Sequence, residues 1–114
     1  MNLFRKAGMK MDERESRLRE TGIRPEVLEE ICALAQKNSV RCVILFGSRA
    51  RGDWRRASDI DLAAEGGNIA AFALDVEEEA STLLEFDVVD LQRCRSEELL
   101  GSIRREGIVL YEEV

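Results

Sequence analysis

Residues 46–52 (FGSRARG) and 58–62 (SDIDL) decide the fold, and ten residues separate the pair Gly47-Ser48 from Asp59. The first stretch ends an apolar run rich in β-branched residues, 40–46 (VRCVILF), which is typical of a buried strand. The second alternates polar and apolar side chains, as a half-buried strand does. These two strands, joined by a polar segment with a short helix, form the predicted centre of the domain.

The sequence on either side supplies helices and one or two further strands. Apolar residues at helical spacing predict helices over residues 25–38 and 68–84, and a second apolar run predicts a strand over residues 86–91. Ser96 is a candidate N-cap for a last helix, and residues 108–111 are a candidate edge strand. This order predicts an α/β layer in which helices pack on one sheet.

Length predicts one domain with a single core, because 114 residues suffice for one and leave little room for a second module. Residues 1–22 are mostly polar and charged, and we interpret them as an N-terminal arm or weak helix. Met11 is an alternative start of translation, which would make residues 1–10 an extension. We place the domain at residues 23–114.

Composition excludes several classes of protein. The chain has no His, which removes imidazole bases, Ser-His-Asp and Cys-His nucleophiles and His-containing zinc sites, so catalysis falls to carboxylates. A net charge of −6 has the wrong sign for general nucleic-acid binding. Three widely spaced Cys without a C-x-x-C pair are typical of reduced thiols, and no apolar run approaches the roughly 20 residues of a membrane span. We therefore expect a cytoplasmic protein without a membrane segment.

Gly47 and Ser48 are candidate phosphate ligands. They lie where a strand ends and a helix begins, so their amides point outward, and the missing side chain of Gly47 allows close approach. The Ser48 hydroxyl adds a donor. The same dipeptide is also common in plain strand-to-helix turns with a Ser cap, and this alternative stays open.

Asp59 and Asp61 are the candidate metal ligands. Their spacing on a strand puts both carboxylates on one face, with α-carbons about 6–7 Å apart. Like charges at this distance repel unless a cation neutralises them, and hard oxygen ligands suit Mg²⁺ bound together with substrate phosphates. The alternative is a solvated strand face.

Asp87 is the candidate third carboxylate. Phe86 and Val88 have the pattern of core residues, which turns Asp87 toward the face of the acidic pair, as a metal ligand or as the base for the acceptor's proton. Asp90 points to the opposite face and is the fallback.

Four arginines and one aspartate lie in residues 49–56. A basic segment beside an acidic pair fits a clamp for a triphosphate, and Arg49 and Arg51 are its candidates. A solvated loop or a docking surface for an acidic partner would leave the same pattern.

Together these motifs resemble the signature of the DNA polymerase β-like nucleotidyltransferase superfamily. The spacing from Gly47-Ser48 to Asp59-x-Asp61, the downstream FDVVDL of residues 86–91 and the closing REGIVLYE of residues 105–112 are most similar to its minimal nucleotidyltransferase branch. The resemblance covers about residues 24–113. It implies a small mixed sheet with helices packed on one side, which binds a nucleoside triphosphate with two Mg²⁺ ions. We expect that nucleotide to be ATP.

The resemblance also implies roles for the candidate residues. Gly47 and Ser48 would hold phosphates, while Asp59, Asp61 and Asp87 would serve as metal ligands and catalytic acids for in-line displacement at the α-phosphate. Arg49 and Arg51 are carried over as further phosphate ligands.

Members of the minimal branch commonly work beside a small all-helical partner. In some pairs that partner is a HEPN-type ribonuclease toxin, and the nucleotidyltransferase is the antitoxin that adds AMP to one of its tyrosines. Two other functions stay open: a non-catalytic antitoxin that acts by contact alone, and the catalytic subunit of a small-molecule nucleotidyltransferase complex. A homodimer or a hetero-oligomer agrees equally with the sequence.

Overall fold

A computed structural model of the chain describes residues 11–113, with side chains from residue 13 onward. Its helices and strands follow one another along the chain in the predicted order. The helices are α1 (Met11–Arg19), α2 (Pro25–Lys37), α3 (Ser48–Arg51), α4 (Ile69–Glu79) and α5 (Glu97–Glu106), and the strands are β1 (Cys42–Phe46), β2 (Ile60–Glu65), β3 (Phe86–Asp90) and β4 (Ile108–Glu112).

The four described strands form one mixed sheet in the order β3-β2-β1-β4. β1 lies between β2 and β4 and pairs antiparallel with both. β2 and β3 are parallel, and α4 provides the crossover that a parallel pair requires. The prediction of an α/β fold built on a small mixed sheet is confirmed.

The sheet is covered on both faces. Val43 and Leu45 of β1 join the larger core with α2 and α4, whereas Ile44 and Phe46 join a smaller core with Ile103 of α5. The alternation follows from the two-residue period of a strand. The sequence predicts helices packed on one side of the sheet. Helices α2 and α4 pack on that side, and α5 adds a layer on the opposite face.

Helix α4 is shorter than the sequence predicts. It ends at Glu79, and Ala80 takes an extended conformation, although the apolar pattern continues to residue 84. Long-range contacts favour the earlier end: Glu30 accepts hydrogen bonds from the Ser81 backbone N–H and hydroxyl, and Glu77 accepts one from the Phe86 N–H. The Ser96 cap is confirmed, since its hydroxyl accepts from the Leu99 N–H.

Helix α1 contacts the rest of the fold through Leu18, which packs against the larger core, and through two arginines. Arg14 donates to the carbonyls of Val109 and Leu110 in β4, and Arg17 donates to the carbonyls of Ala50 and Glu106. Residues 1–10 of the predicted arm lie outside the described residues. Within residues 11–113, no helix has the length and apolar character needed to cross a membrane.

Candidate active site

Gly47 and the candidate carboxylates Asp61 and Asp87 meet at one edge of the sheet. β1 ends at this edge while β2 and β3 begin there, because β1 is antiparallel to β2 and β2 is parallel to β3. Phe46 pairs with Asp61, and Asp61 pairs with Asp87 on the next strand, at a strand spacing of about 4.8 Å. Gly47 follows Phe46 directly. The topology thus brings together residues that lie 40 positions apart in the sequence.

Gly47 lies directly against the Asp61 carboxylate. Its φ of +75° is in the left-handed region, which L side chains rarely adopt. A Cβ atom at this position would lie 2.1 Å from Asp61 Oδ2 and 3.2 Å from Asp61 Cβ. Rotation of the aspartate side chain would move Oδ2 away but would leave the tight 3.2 Å contact with Asp61 Cβ, so glycine is favoured here by both conformation and space.

Gly47→Ala is therefore expected to destabilise the protein by about 2–5 kcal/mol, from a positive-φ strain of 1–2 and an overpacking cost of 1–3 kcal/mol. Gly52→Ala is a matched control, because Gly52 has a φ of +92° and open space where a Cβ would be. Urea denaturation of both variants measures the difference. Equal losses of unfolding free energy would contradict the close Gly47–Asp61 contact.

Asp61 is the central acid of the cluster. Burial, and next the charges of Asp87 and Asp59, raise its pKa from 3.8 to about 6. Asp59 and Asp87 themselves are exposed. Asp61 shares its face of the sheet with Ala63, which packs in the smaller core, so this face is the one that α5 covers.

The structure turns Asp87 and Asp90 in different directions. Asp87 is paired with Asp61 on the shared face, whereas Asp90 lies an odd number of residues away on the same strand. The Asp90 carboxylate accepts from the Gln92 N–H and lies 3.9 Å from Arg93 Nε. Asp87 is therefore the better placed candidate, as the sequence argument preferred.

The raised pKa of Asp61 predicts a pH-dependent stability. An acid with a higher pKa in the folded state favours folding below pH 3.8 and loses that contribution as the pH rises through about 6. Asp61→Asn removes the charge, so in EDTA at pH 7.5 we expect it to raise the unfolding free energy by about 1–2 kcal/mol, after allowance for solvent screening of a half-exposed group.

Thermal unfolding of wild type, Asp61→Asn and the exposed control Glu78→Gln at pH 4 and pH 7.5 tests this. The advantage of Asp61→Asn should be small at pH 4 and full at pH 7.5. An equal advantage at both pH values would contradict the assignment.

Arg49 does not face the acidic cluster. It is 2% exposed, and its guanidinium donates to the carbonyls of Thr21, Arg56 and Ser58. Its Cζ also lies 4.9 Å from the centre of the Trp54 ring. The phosphate-binding role expected for Arg49 does not fit this placement, because each nitrogen of the guanidinium already donates to a main-chain carbonyl, two of them in the loop between α3 and β2 and one between α1 and α2. Sequence alone did not distinguish this arginine from its exposed neighbours.

Trp54 packs against the segment between α1 and α2 rather than pointing outward. Its ring covers Gly22, and its Nε1 donates to the carbonyl of Glu20.

Arg51 lies at the site, and Glu106 is a residue that the sequence argument missed. Glu106, the last residue of α5, accepts a 3.0 Å hydrogen bond from the Gly47 N–H and lies 3.1 Å from Arg51 Nη1. These contacts, and those to Asp53, raise the pKa of Arg51. Ser48 is half-buried at the start of α3. No local signal could identify Glu106, since it lies 59 residues from Gly47 in sequence.

The carboxylate oxygens of the cluster are suitable ligands for a hard cation, but they do not converge on a single position. Among residues 11–113, no three His, Cys, Asp or Glu side chains are close enough together to hold a metal ion by themselves. The Asp61 carboxylate nevertheless lies near two further acids, Asp59 and Asp87. A divalent cation bound there would reduce the repulsion among their charges. The residues fit a cation that takes part of its ligands from a substrate.

The fold and this edge of the sheet define an enzyme of the nucleotidyltransferase class. Residues 29–114 match the family model described as polymerase beta, nucleotidyltransferase, and the chain belongs to that family. No curated protein matches the sequence.

Solved structures support the same assignment. The chain is similar to one in a toxin–antitoxin structure with AMP-PNP, at 27% identity and a TM-score of 0.61, covering 75% of this chain and 73% of that one. A doubly Asp-to-Glu substituted MntA-HpeT toxin–antitoxin is 25% identical, with a TM-score of 0.61 and the same coverage. A Tyr-to-Ala variant of MntA-HpeT, at 24% identity, a TM-score of 0.60 and coverage of 75% and 72%, shows the shared fold.

Proposed function

We propose that this nucleotidyltransferase moves a nucleoside monophosphate, AMP from ATP, onto a hydroxyl group. The observation that carries the proposal is the contact of Gly47 with Asp61, in register with Asp87, at one sheet edge. A phosphate needs a close backbone approach, and phosphoryl transfer needs nearby carboxylates for cations. The similar toxin–antitoxin structure with AMP-PNP supports an adenine nucleotide as substrate.

Asp59, Asp61 and Asp87 are the residues that would hold Mg²⁺, two ions by family resemblance. Bound there with substrate phosphates, the ions would neutralise charge on the triphosphate and on the departing pyrophosphate. The acids would in turn hold the ions at the edge where Gly47 lets a phosphate approach.

Other groups of the chain would bind and orient the triphosphate. Gly47 and Ser48 offer backbone donors and a hydroxyl, and Arg51 offers a guanidinium on the same side of the site. In the transfer step, the acceptor oxygen bonds to the α-phosphorus as the bond to the bridging oxygen breaks, and pyrophosphate leaves with the electron pair. Asp87 is exposed and beside Asp61, so it is placed to take the hydroxyl proton if it is not a metal ligand.

The acceptor we propose is a small all-helical protein of the HEPN type, with this chain as its antitoxin. Two of the similar structures are toxin–antitoxin complexes at 25% identity or more.

Labelled ATP tests the reaction and its acceptor. With the helical partner and Mg²⁺, label on the α-phosphate should appear on the partner, and label on the γ-phosphate should not. Label on a small molecule with no labelled protein would favour the small-molecule transferase instead. No transfer from any nucleoside triphosphate would contradict the proposed reaction.

A further inference from the structure

The Glu106 carboxylate makes the contacts that the proposed function assigns to a substrate phosphate. Its Oε1 accepts from the Gly47 N–H at 3.0 Å, and its two oxygens lie 3.3 and 3.1 Å from Arg51 Nη1. The Glu106 side chain is only 16% exposed, whereas that of Arg51 is 46% exposed, so the carboxylate is largely shielded while the guanidinium stays accessible. A main-chain N–H beside a guanidinium is a donor pair that binds phosphate oxygens as readily as carboxylate oxygens.

We propose that Glu106 is an internal substitute for a substrate phosphate, occupying Gly47 and Arg51 in the nucleotide-free chain and competing with the triphosphate for both. This inference rests on the proposed function. One N–H donates one strong hydrogen bond at a time, so Gly47 serves either Glu106 or a phosphate. The two anions also repel each other, so the carboxylate has to leave when the nucleotide enters.

The backbone around Glu106 is fixed, which limits the exchange to its side chain. Arg17 donates to the Glu106 carbonyl at 2.8 Å, and the Gly107 N–H donates to the Ile103 carbonyl at 2.8 Å. Gly107 is buried, and a Cβ there would lie 2.6 Å from Ile44. Rotation of the Glu106 side chain would free Gly47 and Arg51 without moving α5 or opening the core.

Competition and anchoring predict opposite effects of removing the carboxylate. If Glu106 competes with phosphate, its loss frees both donors and tightens nucleotide binding. If it instead anchors the Gly47 loop in the productive shape, its loss weakens binding.

The experiment is calorimetric titration of the full chain with AMP-PNP and Mg²⁺ at pH 7.5. We expect the Kd of Glu106→Ala to fall about tenfold, in keeping with the loss of one charged hydrogen bond, and that of Glu106→Gln to fall about threefold. Glu106→Gln keeps an acceptor for the Gly47 N–H, so it also serves if the alanine variant folds poorly.

Glu98→Gln is the matched control. Glu98 is an exposed acid in the first turn of the same helix, and its neutralisation makes the same change in net charge. Its Kd should stay within about twofold of wild type, because salt screens an exposed, distant charge.

Two results would overturn the inference while leaving the proposed function intact: an unchanged Kd in both Glu106 variants, or a higher one. An equal tightening in Glu98→Gln would overturn it as well, since the effect would then be one of net charge. Failure of wild type and every variant to bind AMP-PNP would overturn the proposed function and this inference with it.

Discussion

Replacing Asp59 and Asp61 together by asparagine is expected to lower the rate of nucleotide transfer by at least about 10³-fold. The two carboxylates are the proposed ligands of ions that stabilise charge in the transition state by several kcal/mol, and each 1.36 kcal/mol corresponds to a factor of about ten. The fold should persist, because Asp59 is exposed and burial already disfavours the Asp61 charge. Transfer from α-labelled ATP and thermal unfolding of the same preparation measure both effects.

Single variants of the third strand are the controls. Asp87→Asn should also lose transfer, whereas Asp90→Asn should retain it, since Asp90 lies on the other face and its asparagine can still accept from the Gln92 N–H. Equal activity of the two variants would contradict the choice of Asp87. If the Asp59/Asp61 double variant still neutralises the partner, the chain acts by contact and the catalytic proposal fails.

The second large effect is on stability. Arg49→Met is expected to lower the unfolding free energy by about 3–5 kcal/mol, because it removes a buried guanidinium and leaves the carbonyls of Thr21 and Ser58 without their donors. Burial lowers the pKa of this arginine. Because an arginine side chain in a protein keeps its proton, the loss should persist across the neutral range.

Arg55→Met is the matched control for this prediction. Arg55 is an exposed arginine of the same loop, and its replacement should change the unfolding free energy by less than about 0.5 kcal/mol. Urea denaturation compares the two variants. If Arg49→Met loses less than about 1 kcal/mol of unfolding free energy and binds nucleotide more weakly instead, Arg49 has the phosphate-binding role that the sequence suggested. The threshold of about 1 kcal/mol is the net contribution of one hydrogen bond.

The acidic pair and the strand that carries it could be predicted because their information is local. Alternation through residues 58–62 fixes which face Asp59 and Asp61 share, whatever the strand pairs with. The choice of Asp87 over Asp90 needed only the same two-residue period and the assumption of a core face. Family resemblance then supplied the mixed sheet, which local patterns do not determine.

Arg49 and Glu106 could not be placed in this way, because their roles depend on long-range packing. Arg49 is one of four arginines in an eight-residue segment, and only the fold buries it beneath Trp54. Glu106 reaches the site because β4 pairs with β1 and α5 covers the face that Asp61 shares. The early end of α4 has the same origin, in contacts of Glu30 and Glu77 with the segment that follows the helix.

The intact mass of the helical partner, measured after incubation with this chain, ATP and Mg²⁺, tests the central proposal most directly. The partner in this measurement is the HEPN-type helical protein proposed above as the acceptor. Its mass should increase by one AMP moiety or a whole number of them, with release of pyrophosphate, and should stay unchanged when the Asp59/Asp61 double variant replaces the wild type. An unchanged mass with wild type in the presence of each of the common nucleoside triphosphates would contradict nucleotide transfer to that partner.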